Sequence, residues 1–332
     1  RLVSGLYMVA VDIDFIHGDT LVKNLSRAFS QPDRLTGLNT LKKEYPAATH
    51  VGITQVMGEP HYMVTTADGR YLVEPQSGQV ISPLDQATAT AIARYHFNGD
   101  DPVIRASMIT KDPPMEIQGR KLPLWRIEFE DRFSTSFYID PYTGSLATRR
   151  HQYWRVFDFF WMLHIMDYKQ RVNAHSPLLI IAEFAGLILG ISGIWLLVHR
   201  LSNRRKKKTG RMRMMPFLKQ VHKWLSLLIG LQVLLWLISG LVISLLDPAK
   251  VSGRFQSLPQ ASEPVPVPPG VLLEPSDLAS GNLMGATGIN LFVSGGVPVY
   301  QIQYAATESL FDARDGSVVV VGRNQAEAIA LN

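Results

Sequence analysis

Residues 177–198, PLLIIAEFAGLILGISGIWLLV, and residues 224–246, WLSLLIGLQVLLWLISGLVISLL, decide the fold class. The first is broken only by Glu183, and the second carries no charge. A bilayer core takes ~20 apolar residues of helix, so both read as membrane spans. Between them, Arg200 to Lys223 holds ten Lys/Arg and no acid. So many bases in a short connection place it in the cytoplasm. The polar parts of the chain then face the other side, the periplasm of a Gram-negative cell.

Composition agrees with a chain that partly avoids water. Of 332 residues, 46% are hydrophobic and 18% charged, against about 25% charged in an average soluble domain. The net charge of +5 is local: outside the basic run, 23 bases face 28 acids. That argues against a nucleic-acid binder. The absence of cysteine excludes disulfide frameworks, thiolate metal sites, Fe–S clusters and c-type haem attachment. No Gly-x-Gly-x-x-Gly, Walker A, Gly-x-Ser-x-Gly or His-Glu-x-x-His occurs. With no NAD or flavin site, electrons would have to come from a quinol or a cytoplasmic donor.

Two self-similarities organise the rest. Ser4-Gly5-Leu6 matches Ser239-Gly240-Leu241 at an offset of 235. Leu2 to Val11, too short to span, therefore reads as the outer end of a membrane helix whose earlier part precedes Arg1. At an offset of 238, Pro60-His61-Tyr62, Leu72-Val73-Glu74 and Gly78 match Pro298-Val299-Tyr300, Leu310-Phe311-Asp312 and Gly316. Pro123-Leu124-Trp125, leading to Tyr138–Gly144, is a third copy. Each alternates apolar and polar residues like a half-buried strand and reaches a turn ending in Gly. Leu84 to Tyr95 has helical spacing after Pro83, a candidate first helical residue, and Asn324 to Ala330 begins an equivalent helix. The expected fold is a membrane α-helical bundle plus α+β modules, internally repeated. It divides into the end of a membrane helix (1–16), a tandem module region (17–150), an aromatic interfacial helix (151–175) and a span (176–200). Then come the basic loop (201–219), a second span (220–246) and an incomplete second module region (247–332) with a Pro-rich linker (259–275).

Tandem modules ending in Tyr138-Ile139-Asp140-Pro141-Tyr142-Thr143-Gly144 resemble PepSY domains. His222-Lys223-Trp224 before a Leu-rich helix with Ser239-Gly240 resembles the signature helix of PepSY-associated transmembrane proteins. Leu163-His164 before a Gly-rich span does so too. The order of these elements covers nearly the whole chain. The resemblance implies a multi-pass inner-membrane protein, similar to haem-containing reductases that act on ferric siderophores from the periplasmic side. This sequence departs from the pattern in lacking the first His-containing helix and the second Leu-His element.

A membrane haem b needs axial imidazoles, and ionisable groups within a membrane point to function. His222, at the cytoplasmic mouth of the second span, is an interfacial cap or an iron ligand. His164, in a very aromatic segment, faces headgroups or ligates a haem near the outer leaflet. His199 is an interface anchor or reaches towards His222. If each haem draws one His from each half, the partners of His222 and His164 lie before Arg1 and beyond Asn332. Asp12, Asp14 and His17, with Asp19, form a hard-metal pattern at the outer mouth or a solvated linker. Gly186, Gly190 and Gly193 make a small-residue stripe, for helix packing or for a flat porphyrin. Glu183 is expected to snorkel outward. Two functions fit: haem-dependent electron transfer to a periplasmic acceptor, most simply a ferric siderophore, or a membrane-anchored regulator whose modules bind peptides or proteases.

Overall fold

The computed structural model describes residues 2–23, 37–168, 176–202, 214–246, 266–268, 270–278, 283, 285–294, 296–304 and 306–319. The chain divides into two compact units: a helical unit (residues 1–10 and 158–258) and a sheet unit (11–157 and 259–332). The expected helix at 324–330 and the basic residues 203–213 lie outside the described residues.

In the sheet unit, alternation makes strands. Along β2 (Glu59–Thr65), Pro60, Tyr62 and Val64 are buried while Glu59, His61, Met63 and Thr65 are not. With β1 (His50–Val56) and β3 (Arg70–Val73) it forms an antiparallel meander. A second meander, β8 (Gly288–Ser294), β9 (Val297–Gln303) and β10 (Glu308–Asp312), follows after the membrane spans. The two join through β1 and β8 into one six-stranded sheet, ordered β10-β9-β8-β1-β2-β3.

Local bonds in the two meanders recur at a spacing of 238 residues. Thr49 N–H donates to Thr65 O at 2.9 Å, and Thr287 N–H to Gln303 O at 2.7 Å. Gly78 N–H donates to Glu74 O, and Gly316 N–H to Asp312 O. The bridge Val73–Val80 is matched by Phe311–Val318. Gly58 and Gly296 both sit at hairpin turns with φ of +86° and +81°, a conformation that costs glycine little. Where the meanders meet, Val51 opposes Leu291, Gly52 opposes Asn290 and Ile53 opposes Ile289. A local two-fold therefore passes between Gly52 and Asn290. Tyr62 and Tyr300, also 238 apart, are fully buried in the shared core.

The third sequence copy lies elsewhere. It belongs to a four-stranded sheet of β4 (Val103–Ile109), β5 (Leu124–Phe129), β6 (Ser136–Ile139) and β7 (Leu146–Arg150), in that order. Helix α4 (Gln86–His96) packs on this sheet. It starts two residues later than the spacing suggests, because the Asp85 carboxylate accepts the Thr88 amide at 2.8 Å and caps it. Phe97 stacks on Phe129 (centroids 4.0 Å), and Phe137 meets Phe129 edge-on (5.3 Å) in the core between them.

The described end of the Pro-rich stretch is a docked strap. Helix α3 (Leu38–Glu44) holds it: the Asn39 side chain donates to Leu272 O (2.8 Å) and accepts from Leu272 N (3.1 Å). Lys42 Nζ donates to Gly270 O (2.7 Å), and burial lowers the pKa of this lysine. Glu274 accepts the free amides of Leu38 and Asn39 at the start of α3. An extended spacer was expected; side-chain and backbone bonding instead tie this segment to the first meander.

The helical unit contains α1 (Leu2–Ala10), the end of α5 (Gln152–Ile165), α6 (Pro177–Ser202) and α7 (Met214–Leu245). The apolar portions of α6 and α7 that could cross a bilayer are Pro177–Leu196 and Lys219–Leu245. Glycines let the two helices approach. A Cβ on Gly186 would stand 3.2 Å from Leu237, and one on Gly190 would stand 3.2 Å from Leu234. At these two positions the stripe packs helix on helix, and leucines fill the space that a flat ring would need. Glu183 does not snorkel. It is 1% exposed, with Oε1 at 3.1 Å from where a Cβ of Gly240 would be.

Asn39→Ala removes two bonds to Leu272 and one to Glu274. Loss of partly buried bonds of this kind costs about 1–3 kcal/mol. Urea unfolding of the detergent-solubilised protein, followed at the sheet unit's aromatic residues, should show that loss.

Candidate functional site

The sequence candidates fall into three places. His164, on α5, is half-buried in the helical unit. Its Nδ1 lies 3.2 Å from the hydroxyl of Ser4 on α1. The ring also approaches Gly5: a Cβ there would be 3.4 Å from His164 Cε1. The Ser-Gly pair thus makes a notch into which an imidazole fits, and Tyr7 stacks on Phe160 beside it (centroids 4.4 Å). If Nδ1–H donates to Ser4, the neutral ring carries its proton on Nδ1 and not on Nε2. Fixing a ligand's tautomer through its other nitrogen is what a metal-binding histidine requires. Ser239-Gly240 on α7, 235 residues later, forms a notch of the same composition, and Glu183 occupies it.

His199 and His222 lie at the other end of α6–α7. The contacts of Glu183 with Gly240, Gly186 with Leu237 and Gly190 with Leu234 set an antiparallel register. Extended along both helices, it puts His199 and His222 at one level. Both are exposed.

Asp12, Asp14 and His17 lie in the sheet unit. The Asp12 carboxylate accepts the amides of Asp14 (2.8 Å) and Phe15 (3.1 Å) and caps α2 (Ile13–His17). His17 offers its carbonyl to Arg149 Nε (3.0 Å), and Asp19 pairs with Arg149. Among the described residues no three His, Asp or Glu converge on a metal-sized site.

A charged cluster that sequence spacing does not suggest anchors the start of α5. Glu116 follows Pro113-Pro114 in a short 3-10 turn and has a 9% exposed side chain. It receives Arg155 Nε at 2.6 Å and Nη2 at 3.3 Å, together with the hydroxyl of Tyr138, and Arg126 stands 3.8 Å away. Burial pushes the Glu116 carboxyl up. Hydrogen bonds from Arg155 and Tyr138, with the charges of Arg155 and Arg126, outweigh that and hold it below its ordinary range. Burial, then the bond to Glu116, pushes the Tyr138 hydroxyl up. The partners are 22 and 39 residues from Glu116, so only the folded sheet brings them together. Ser4 was visible in the repeat, but its role beside His164 was not.

Glu116→Gln should lower the unfolding free energy by about 2–3 kcal/mol at neutral pH, the scale of a partly buried charge-assisted bond. Because the folded carboxyl titrates low, its contribution is complete above about pH 4.3 and is lost as pH falls below that value. Denaturation across acid pH should show this loss in the wild type and a weaker acid dependence in E116Q.

No curated protein and no solved structure matches the chain. The family model of the PepSY-associated TM region matches residues 41–322, most of the sequence and both candidate spans. The chain therefore belongs to the PepSY-associated TM family and is a membrane protein.

Proposed function

We propose that this is a bacterial inner-membrane haem protein that passes electrons to a periplasmic acceptor, most simply a ferric siderophore. The observation carrying the proposal is the notch that seats His164: a histidine held through Nδ1 by Ser4 against Gly5. That arrangement suits an axial ligand, so the residues present fit the cofactor at this position. His222 and His199, on exposed faces of the spans, are the further candidate ligands. The ten bases of Arg200–Lys223 support a cytoplasmic loop and a periplasmic sheet unit.

Haem, when bound, supplies a one-electron Fe(III)/Fe(II) couple. The protein's part is to hold it and set its surroundings. Ser4, accepting a hydrogen bond from Nδ1–H, would fix the tautomer that an iron-binding imidazole needs. Gly5 lets α1 come close enough for that bond. Tyr7, stacked on Phe160, lies beside the imidazole. Electrons enter from a quinol or a cytoplasmic donor and leave to the ferric acceptor, which is reduced to the ferrous state.

The test is a dithionite-reduced minus oxidised spectrum of membranes carrying the protein, with His164→Ala, His222→Ala, His199→Ala and Ser4→Ala beside it. Sharp b-type bands in the wild type, lost in His164→Ala, are expected. Ser4→Ala should keep the bands but weaken haem retention by about tenfold, as loss of an orienting partner does. Well-expressed wild-type protein without bands under haem supply would overturn the proposal and favour the peptide-binding regulator.

A further inference from the structure

His151 stands at the corner between β7 and α5 and is 1% exposed. Its Nε2 lies 3.0 Å from Phe15 O and 3.1 Å from Ile16 O, at the last turn of α2. Both neighbours are acceptors, so Nε2 carries the proton and donates. Arg149 Nε takes the next carbonyl, that of His17. Two side chains from one corner thus reach three consecutive carbonyls at the helix end; that of Phe15 also accepts the Gly18 amide at 3.0 Å, and those of Ile16 and His17 lie beyond the helix's own bonds. The chain then leaves through Gly18, whose φ of +75° suits glycine. Phe15, Phe133 and Tyr153 surround the imidazole, with centroids at 5.3, 6.3 and 6.2 Å. Among the described residues Nδ1 has no hydrogen-bond partner.

We propose that His151 is an acid-sensitive latch that fastens the end of α2 to the β7–α5 corner while its imidazole is neutral. A second proton would have to sit on Nδ1, buried among aromatic rings without an acceptor, which is costly. The surrounding charges do not relieve that cost. Arg155 of α5 faces the ring and disfavours a second positive charge, and its guanidinium is held by Glu116. Asp131, between β5 and β6, favours the charge, but both its oxygens are engaged by Thr135. On β7, Arg149 is paired with Asp19 and Arg150 lies over Trp154. Arg132 lies over the far partner ring, Phe133. On α2 itself, Asp12 is the cap, and Asp14 and His17 are exposed.

Burial, opposed by the bonds to Phe15 and Ile16, sets the His151 pKa below its ordinary value. Above about pH 6.5 the fastened and released forms are both neutral, and the latch holds. As pH falls from there towards the lowered pKa, only the released form takes the proton. Opening then becomes more favourable by up to about tenfold per pH unit. The device senses acid on the side of the membrane that the sheet unit faces.

Two measurements on the whole protein in detergent test this. Deuteration of histidine C2 positions, read by mass spectrometry, should give His151 slower exchange and a lower apparent pKa than the same residue in urea-unfolded protein. Amide exchange over 11–21, corrected for its intrinsic pH dependence, should rise several-fold between about pH 8 and about pH 5. That response should vanish in His151→Gln, which can still donate to the two carbonyls, and persist in His17→Gln. A His151 that exchanges and titrates as it does in the unfolded chain, amide protection independent of pH, or an unchanged response in H151Q would each overturn the latch.

Discussion

Three residue pairs between β1 and β8 hold the sheet unit together across a long loop. Val51–Leu291, Gly52–Asn290 and Ile53–Ile289 join strands separated by both candidate spans. Closing a loop of that length is less costly than its size suggests, because each doubling adds only ~0.6 kcal/mol. The shared core supplies the compensation: Val51, Ile53, Tyr62 and Val64 from one meander pack with Ile289, Leu291, Tyr300 and Ile302 from the other. Because Gly52 and Asn290 occupy equivalent places in the two meanders, each offers the other the same edge, as in an isologous interface. The strap at 266–268 and 270–278 reinforces the junction through α3.

Buried polar groups then decide where helices are held. Glu116 binds Arg155 in the first turn of α5, and His164 is nine residues further along the chain. One helix therefore carries both the ion-pair anchor and the histidine seated on Ser4-Gly5. On α7, the equivalent Ser-Gly notch takes the carboxylate of Glu183. Glycine works in the same way at both sites, letting a polar side chain reach close to a neighbouring backbone in an apolar setting.

Much of this was legible in the sequence because it rests on periodicity. Unbroken apolar runs identified α6 and α7, and period-two alternation with Gly-ended turns identified the hairpins. The matches Tyr62 with Tyr300 and Gly78 with Gly316 fixed the spacing at which bonds recur. What the sequence withheld depends on distance in space. Nothing local shows that β1 pairs with β8, or that residues 123–144 form a separate sheet despite their likeness to 60–78. The Asp85 cap displaced the start of α4 because a side chain, and not the preceding proline, meets the first free amides. The docked strap depends on Asn39, Lys42 and Glu274 meeting across more than 220 residues. At the site, His164 stood out by its resemblance, whereas its partner Ser4, the buried Glu183 and the imidazole of His151 required folded neighbours.

The absence of cysteine makes the central pairing open to direct measurement. Gly52→Cys with Asn290→Cys places the only two thiols on opposed residues, within the 4.4–6.8 Å Cα range that disulfides span. After mild oxidation in membranes and proteolysis of the connection between them, the account predicts one covalently joined product that reductant separates. A mismatched pair, Gly52→Cys with Val297→Cys, should stay separate. Efficient joining of the mismatched pair, or none of the matched pair in folded protein, would contradict a single sheet built from both sides of the membrane helices.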